Sequence, residues 1–272
     1  MLTHVLLHAA MQRRSAANEL DEAKSLTEES TGDVAERRAG RHTKTMILGT
    51  LDGLRRTLQR LESPEARTTW GNYDTDHSYG EASYEEKKSF IQRHAAAKRR
   101  TMIWDIGSNT GTFSRLCAPH AEHVVSIDGD SKAIERLYIA EREKGSQILP
   151  LVMNLSNVSP GQGWRGRERK RLEERGRPDL VLCLALSHHM VIGANIPMEE
   201  FVSWLHDLGG DLIIEFVSRE DDMVRMLLRN KVDQYGDYTI DNFERLLADG
   251  FEIVESEPLK GGHRQIYSLR RK

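Results

Sequence analysis

The chain is short of cysteine, and it lacks any long apolar run or excess of one charge. Its 272 residues include only two cysteines, Cys117 and Cys183. They fall on a predicted helix and on an apolar strand, which indicates reduced, buried thiols rather than a disulfide framework. A single pair also gives no spacing for zinc ligands. We therefore expect no metal site and a cytoplasmic setting.

No apolar stretch approaches the roughly 20 residues that a membrane-spanning helix needs. The amino-terminal patch MLTHVLLHAA has no basic residue before it, so we expect a helix there rather than a signal peptide. The formal net charge is −3, which gives no global basic footprint for nucleic acid. We expect no membrane partner, and a nucleic-acid partner is disfavoured without being excluded.

Residues 1–67 are predicted to form a helical amino-terminal extension. Residues 1 to about 30 and Arg41–Leu61 each carry an apolar stripe at helical spacing. Residues 28–40 between them are charged and poor in apolar side chains, which predicts a mobile linker. We expect these helices to pack against the rest of the chain or to form a homodimer. The second stripe consists of Ile47, Leu51, Leu54, Leu58 and Leu61.

Residues 68–100 are predicted to form an aromatic loop followed by a helix over Ser83–Ala97. Aromatic side chains in a polar loop suggest a lid over a pocket, although they could equally anchor the loop to the core. The four aromatic residues of the loop are Trp70, Tyr73, Tyr79 and Tyr84.

Residues 101–272 alternate between strands and helices, which predicts a parallel sheet with helices on both faces. A pair of strands ends the chain, with a turn through Pro258, Gly261 and Gly262 between them. A dinucleotide-binding domain would ordinarily continue with another parallel unit, so this pair disfavours a nicotinamide enzyme. The predicted strands are 102–105, 123–127, 148–153, 179–186, 211–216, 251–254 and 265–269.

The segment Thr101–Ser114, TMIWDIGSNTGTFS, joins a buried strand to a helix through a turn that contains glycine. Asp105 precedes this turn. A loop that cradles phosphate would be hindered by a carboxylate, whereas a ligand with ammonium and sulfonium cations would be attracted by it. Asn109 tolerates left-handed backbone angles better than most residues, so it can stand where a glycine would be expected.

These residues resemble motif I of the class I S-adenosylmethionine (SAM)-dependent methyltransferases. The pattern acid-x-Gly-x-Gly-x-Gly stands here as DIGSNTG, with Asn109 in place of the middle glycine. More narrowly, LALSHHMVIGANIPMEEFVSWL, LIIEFVSREDDMV and HRQIYSLRR resemble a bacterial group of nodulation-protein-related methyltransferases. The resemblance implies an α/β fold with a Rossmann-like seven-stranded methyltransferase sheet, mostly parallel with an antiparallel last strand. It also implies SAM as cofactor and an enzyme that methylates.

The resemblance assigns the cofactor contacts to four strand ends. Asp128, the motif II acid, would accept hydrogen bonds from both ribose hydroxyls, although NAD-binding domains use the same device and a helix-capping role is the alternative. Asn154 stands where many family members have an aspartate that accepts from the adenine amino group, and the Leu155 N–H would donate to the ring. The complete set is Asp105, Gly107, Ser108, Asn109, Gly111, Asp128, Gly129, Asn154, Leu155 and Ala185.

The family places the acceptor beside the end of the fourth strand, where Ser187, His188 and His189 lie. His188 or His189 would act as the catalytic base or would shape the pocket. A sulfonium is already activated, so positioning can supply most of the acceleration. Glu215, a third candidate, lies in an otherwise apolar strand. It would either contact an amine or hydroxyl of the acceptor or pair with an internal Arg or His.

The run Trp164–Arg177 is locally basic. It could hold RNA or a phosphorylated substrate, but three glutamates interrupt it, and its spacing favours a solvated helix with internal ion pairs. The favoured function is methyl transfer to oxygen or nitrogen of a small-molecule, saccharide-like or peptide metabolite. An RNA methyltransferase and a non-catalytic SAM-binding or scaffolding module are the alternatives.

Overall fold

The structure, a computed structural model, describes residues 32–61, 81–232 and 234–272. The described residues belong to two compact units, with 32–61 in the first and those from 81 onward in the second. The predicted helix over residues 1–30 lies outside the described residues. So do Trp70, Tyr73 and Tyr79 of the predicted lid.

The first unit contains one described helix, α1 (Gly32–Gln59). Residues 32–40, which the sequence predicts as part of a mobile linker, are therefore helical. Residues 35–39, AERRA, are all strong helix formers, and this propensity compensates for the few apolar side chains. In the second half of α1 the apolar side chains of Ile47, Leu51, Leu54 and Leu58 are more than half exposed. The homodimer through this helix stays a prediction.

The second unit is built on a seven-stranded sheet with the order β3-β2-β1-β4-β5-β7-β6. Strands β1 to β5 are parallel, and β7 runs antiparallel between β5 and β6. The predicted fold class is thereby confirmed. The strands are β1 (Arg100–Ile106), β2 (Ala121–Asp128), β3 (Ile148–Val152), β4 (Leu180–Cys183), β5 (Asp211–Val217), β6 (Phe251–Pro258) and β7 (Arg264–Arg271).

Helices cover both faces of this sheet, because its central strands are apolar on both sides. One core contains Trp104, Phe201 and Phe243, and the other contains Phe90 and Leu137. Both cysteines are free and buried within these cores. The helices are α2 (Glu81–Ala96), α3 (Thr112–Cys117), α4 (Ser131–Arg142), α5 (Met198–Leu208), α6 (Asp222–Leu228) and α7 (Ile240–Gly250).

Two predicted boundaries need correction. The fourth strand, predicted to reach Leu186, ends at Cys183, because the backbone turns at Ala185 (φ 50°). One turn of π-helix, His189–Gly193, follows it. Tyr84, predicted in the aromatic loop, lies in α2, where its ring packs edge-on against Phe113 at 6.0 Å.

The basic run is not the predicted helix. Two short 3-10 turns, Trp164–Gly166 and Leu172–Glu174, and an antiparallel bridge between Gln162 and Arg169 make it an irregular loop. Gly163 and Gly166 have left-handed φ angles (82° and 68°), which a continuous helix cannot contain.

Within the described residues, no helix has the length and apolar character needed to cross a membrane. The same part of the chain contains no group of three or more His, Cys, Asp or Glu side chains suited to a metal ion.

Candidate cofactor and acceptor site

The candidate site lies where the carboxyl ends of β1, β2 and β4 are neighbours. β1 pairs in parallel with β2 on one side and with β4 on the other. The order of the strands reverses between β1 and β4, and open α/β sheets bind ligands in the crevice at such a point. Asp105 lies near the end of β1, Asp128 is the last residue of β2, and Ala185 lies in the turn after β4, so the fold brings these predicted cofactor residues to one edge of the sheet.

The turn after β1 is fixed by left-handed residues and by hydrogen bonds to β2. Gly107, Asn109 and Gly111 have φ angles of 78°, 49° and 81°, so Asn109 adopts the conformation that the motif requires of it. The N–H groups of Gly107 and Ser108 donate to the Ile127 carbonyl at 2.8 and 3.1 Å. The backbone of this turn is therefore held close to the end of β2.

Gly111 also allows a close approach between this turn and α4. A Cβ atom at this position would lie 2.6 Å from Cδ1 of Leu137, which is fully buried. Any larger residue would push α4 away from the sheet or shift the turn.

Asp128 holds the turn and keeps part of its hydrogen-bonding capacity. Its carboxylate accepts from the N–H groups of Asn109 and Asp130, both at 2.8 Å. A carboxylate offers about four acceptor positions, which leaves about two. Asp130 is the residue that caps α4, since its side chain accepts from the Lys132 and Ala133 N–H groups. The capping role that the sequence left open for Asp128 thus belongs to its neighbour.

Asp105 is 2% exposed and lies at the end of a chain of hydroxyl groups. Ser126 Oγ lies 2.7 Å from Ser114 Oγ, and Ser114 Oγ donates to an Asp105 carboxylate oxygen at 2.5 Å. Burial raises the pKa of Asp105 to about 6, against the lowering effect of the Ser114 hydrogen bond. The negative charge of Asp128 raises this pKa further, and the positive charge of Lys87 lowers it.

The turn after β3 is more exposed. The Asn154 side-chain oxygen accepts from the N–H and the hydroxyl of Ser156, at 3.0 and 2.8 Å. These bonds occupy the atom that would accept from adenine, so the predicted adenine contact requires one of them to open. Leu155 is half-buried, and Gly129 after β2 is exposed. Their cofactor contacts stay predictions.

At the end of β4 a strained backbone leads into a buried histidine pair. Ala185 is left-handed, which is uncommon for a residue with a Cβ and is typical of functional sites. The rings of His188 and His189 are 4.1 Å apart. His188 is 1% exposed, and its Nδ1 has no hydrogen-bond partner among the described residues. Ser187 Oγ lies 3.3 Å from the Glu215 carbonyl oxygen, to which it donates.

Both histidines are neutral at physiological pH. Burial is the main cause that lowers the pKa of His188 well below its usual value, and the neighbouring His189, Arg264 and Lys87 lower it further. Burial together with Arg264 lowers the pKa of His189 to about 4.

Glu215 belongs to a buried network of four charged side chains. Its two carboxylate oxygens lie 2.6 Å from Lys87 Nζ and 3.2 Å from Arg264 Nη1. Arg264 Nε is in turn 2.7 Å from Asp221. Of the two alternatives for Glu215, the pairing with an internal arginine is the one observed. Lys87 was missed by the sequence analysis because its partner is 128 residues away and nothing in its helix marks it.

Solved structures of methyltransferases share this architecture. The N-methyltransferase NodS from Bradyrhizobium japonicum WM9, in complex with S-adenosyl-L-homocysteine (SAH), gives a TM-score of 0.53 at 15% identity over 74% of this chain and 90% of that chain. Magnesium protoporphyrin IX methyltransferase (ChlM) from Synechocystis PCC 6803 with bound SAH gives 0.50 at 16% identity over 75% of this chain and 92% of that one. The chain has the class I methyltransferase fold.

Sequence similarity agrees with the resemblance to nodulation-related proteins. The nodulation protein NoeA of Rhizobium meliloti (strain 1021) is 29% identical over 273 residues. That alignment takes in 100% of this chain and 55% of NoeA, so the chain spans about half the length of its curated relative. No family model matches the sequence.

Proposed function

We propose that the chain is a SAM-dependent methyltransferase acting on oxygen or nitrogen of a small-molecule, saccharide-like or peptide metabolite. The observation that carries the proposal is the carboxylate of Asp128, which faces the motif I turn across the β1–β2 edge and retains about two acceptor positions. NodS and ChlM, which share the fold, were both solved with SAH bound.

The residues around this edge fit SAM. The two remaining acceptor positions on Asp128 match two ribose hydroxyls, and the carboxylate of Asp105 supplies negative charge near a cationic ligand. Ser108 Oγ is buried without a hydrogen-bond partner among the described residues, which suits a group that bonds to a ligand. When bound, SAM would supply a methyl group on a sulfonium, ready for in-line displacement.

The histidine pair suits positioning better than proton transfer. A general base works best with a pKa near the operating pH, and burial moves the pKa of both rings well below 7. A neutral imidazole can still accept a hydrogen bond from a hydroxyl or amine of the acceptor. We therefore assign His188 and His189 to orienting the acceptor, and Glu215 to holding α2 on β5 through Lys87.

Calorimetry with SAM, SAH and NADH tests the cofactor assignment. We expect SAM and SAH to bind with 1:1 stoichiometry and NADH to give no heat, because the negative charge of Asp105 before the motif I turn would repel its pyrophosphate. Binding of NADH without SAM would contradict the proposal. Incubation with isotopically labelled SAM and fractionated extracts then identifies the acceptor. Label in the RNA fraction alone would favour the RNA methyltransferase instead.

The raised pKa of Asp105 predicts that SAM affinity depends on pH. The cationic ligand prefers the ionised carboxylate, so affinity should fall about tenfold per pH unit below pH 6 and level off above it. The stability of the ligand-free protein depends on pH in the opposite direction to SAM affinity. Stability that the buried carboxyl contributes at low pH is lost as pH rises from about 4 through about 6, because the folded state holds the proton more tightly.

Calorimetry between pH 5 and pH 8, on the wild type and on Asp105→Asn, checks this dependence. The substitution should flatten the pH profile and weaken binding at pH 8. Burial also raises the pKa of Asp128, so a profile that stays steep in Asp105→Asn would assign the titration to Asp128 and contradict the prediction.

A further inference from the structure

The loop between β3 and β4 carries a concentration of positive charge that the methyltransferase site does not use. Residues 161–177 contain seven arginines and lysines against three glutamates, in a chain whose formal net charge is −3. Every residue from 161 to 171 is exposed. A local reversal of charge on this scale favours a polyanionic partner.

Residues 162–169, the basic hairpin, have a defined backbone. Gln162 and Arg169 exchange two backbone hydrogen bonds, at 3.0 and 3.1 Å, which close its base. The Gly166 N–H donates to the Gly163 carbonyl at 3.0 Å and tightens its tip. Arg165 at this tip has a left-handed φ of 58°, a conformation that costs energy for a residue with a Cβ. The tip is therefore a turn with a defined backbone conformation.

Trp164 lies at this tip with 78% of its surface exposed. It belongs to neither of the two hydrophobic cores of the described residues. The solvent-exposed indole ring of Trp164 can stack on a planar group such as a base.

The hairpin contains one carboxylate, Glu168, whose side chain lies over Gly163. Within the described residues, Arg165, Arg167 and Arg169 have no acidic side chain within 4.0 Å, whereas Arg171 pairs with Glu174 at 3.2 Å. The three arginines follow the exposed Trp164 at every second position of the chain. Surfaces that bind single strands combine the same two features, positive charge for phosphates and an aromatic ring for bases.

We propose that the basic hairpin binds single-stranded RNA, with Trp164 stacked on a base and Arg165, Arg167 and Arg169 against phosphates. An anionic membrane is the less suitable partner, because the tip presents one apolar side chain where interfacial segments present a broad apolar face. This binding is independent of the methyl acceptor and does not require the RNA to be methylated.

Fluorescence anisotropy of a labelled RNA of about 12 nucleotides, added to the full chain at a series of salt concentrations, tests the proposal. Trp164→Ala should weaken binding at least about fivefold, and Trp164→Phe should restore most of the loss because its ring still stacks. Replacing Arg165, Arg167 and Arg169 together by Gln should weaken binding and flatten the log–log salt dependence by about two.

The matched control replaces the exposed Lys98, Arg99 and Arg229 together by Gln, which removes equal charge elsewhere. It should leave both the affinity and the salt dependence within about twofold of the wild type. Equal weakening by the control and the hairpin variant would overturn the proposal, as would absence of RNA binding at low salt. Trp164-dependent binding to phosphatidylglycerol vesicles without RNA binding would identify a membrane contact instead. Unchanged calorimetry with SAM verifies that each variant is folded.

Discussion

Replacing Asp128 by Asn is expected to weaken SAM binding about 100-fold. The side chain would lose its negative charge, and an NH2 group, which donates hydrogen bonds and cannot accept them, would replace one of the two carboxylate oxygens. Hydrogen bonds to a charged group contribute about 1.5–3 kcal/mol each, and a loss of about 3 kcal/mol corresponds to about two orders of magnitude in Kd. The Asn109 N–H also donates to this carboxylate, so the motif I turn would loosen at the same time. Calorimetry at pH 8 measures the change.

Asp130→Asn provides the matched control, two residues along the same turn. Asparagine caps helices as well as aspartate does, so α4 should keep its cap. We expect SAM affinity within about threefold of the wild type in this variant. An Asp128→Asn variant that binds SAM equally well would show that the ribose is not held at the end of β2, and the cofactor assignment would fail with it.

Replacing Glu215 by Gln is expected to lower the free energy of unfolding by about 3–5 kcal/mol. Glu215 is 0% exposed, and the change removes the charge that faces both Lys87 and Arg264. Removing one partner of a buried ion pair leaves charge in a low-dielectric interior without compensation, and this costs several kcal/mol. Chemical denaturation followed by circular dichroism measures the difference.

Glu255 on β6 is the control, since it also connects the sheet to α2. It lies 2.9 Å from Arg93, but both side chains are well exposed to solvent. Glu255→Gln should therefore cost less than about 1 kcal/mol. Lys87→Met combined with Glu215→Gln should recover part of the loss, because Arg264 still pairs with Asp221. Equal costs for the two glutamates would mean that burial of the network contributes nothing.

The sheet and the cofactor edge could be predicted because their signals are local. Apolar runs define the central strands, and an acid followed by glycines marks the motif I turn. The left-handed Asn109 followed from the motif in the same way. Each of these features depends on residues that are close in sequence, so pattern and spacing suffice.

Features that depend on contacts between residues far apart in the sequence could not be predicted from it. Lys87 meets Glu215 only after α2 packs on the sheet, and Arg264 reaches it from the last strand. The end of β4 was misjudged because its apolar run continues past Cys183, while the backbone turns at Ala185. In the basic run, charge spacing favoured a helix, but the glycines at 163 and 166 determine the conformation.

The two serines beside Asp105 affect how the site responds to an arriving cation. Ser114 and Ser126 turn fixed dipoles toward a carboxyl group that water does not reach. Solvation of the ion is thus supplied in advance by the fold, and little rearrangement of the interior is needed when a ligand arrives. This edge of the sheet is therefore preorganised for a cationic ligand.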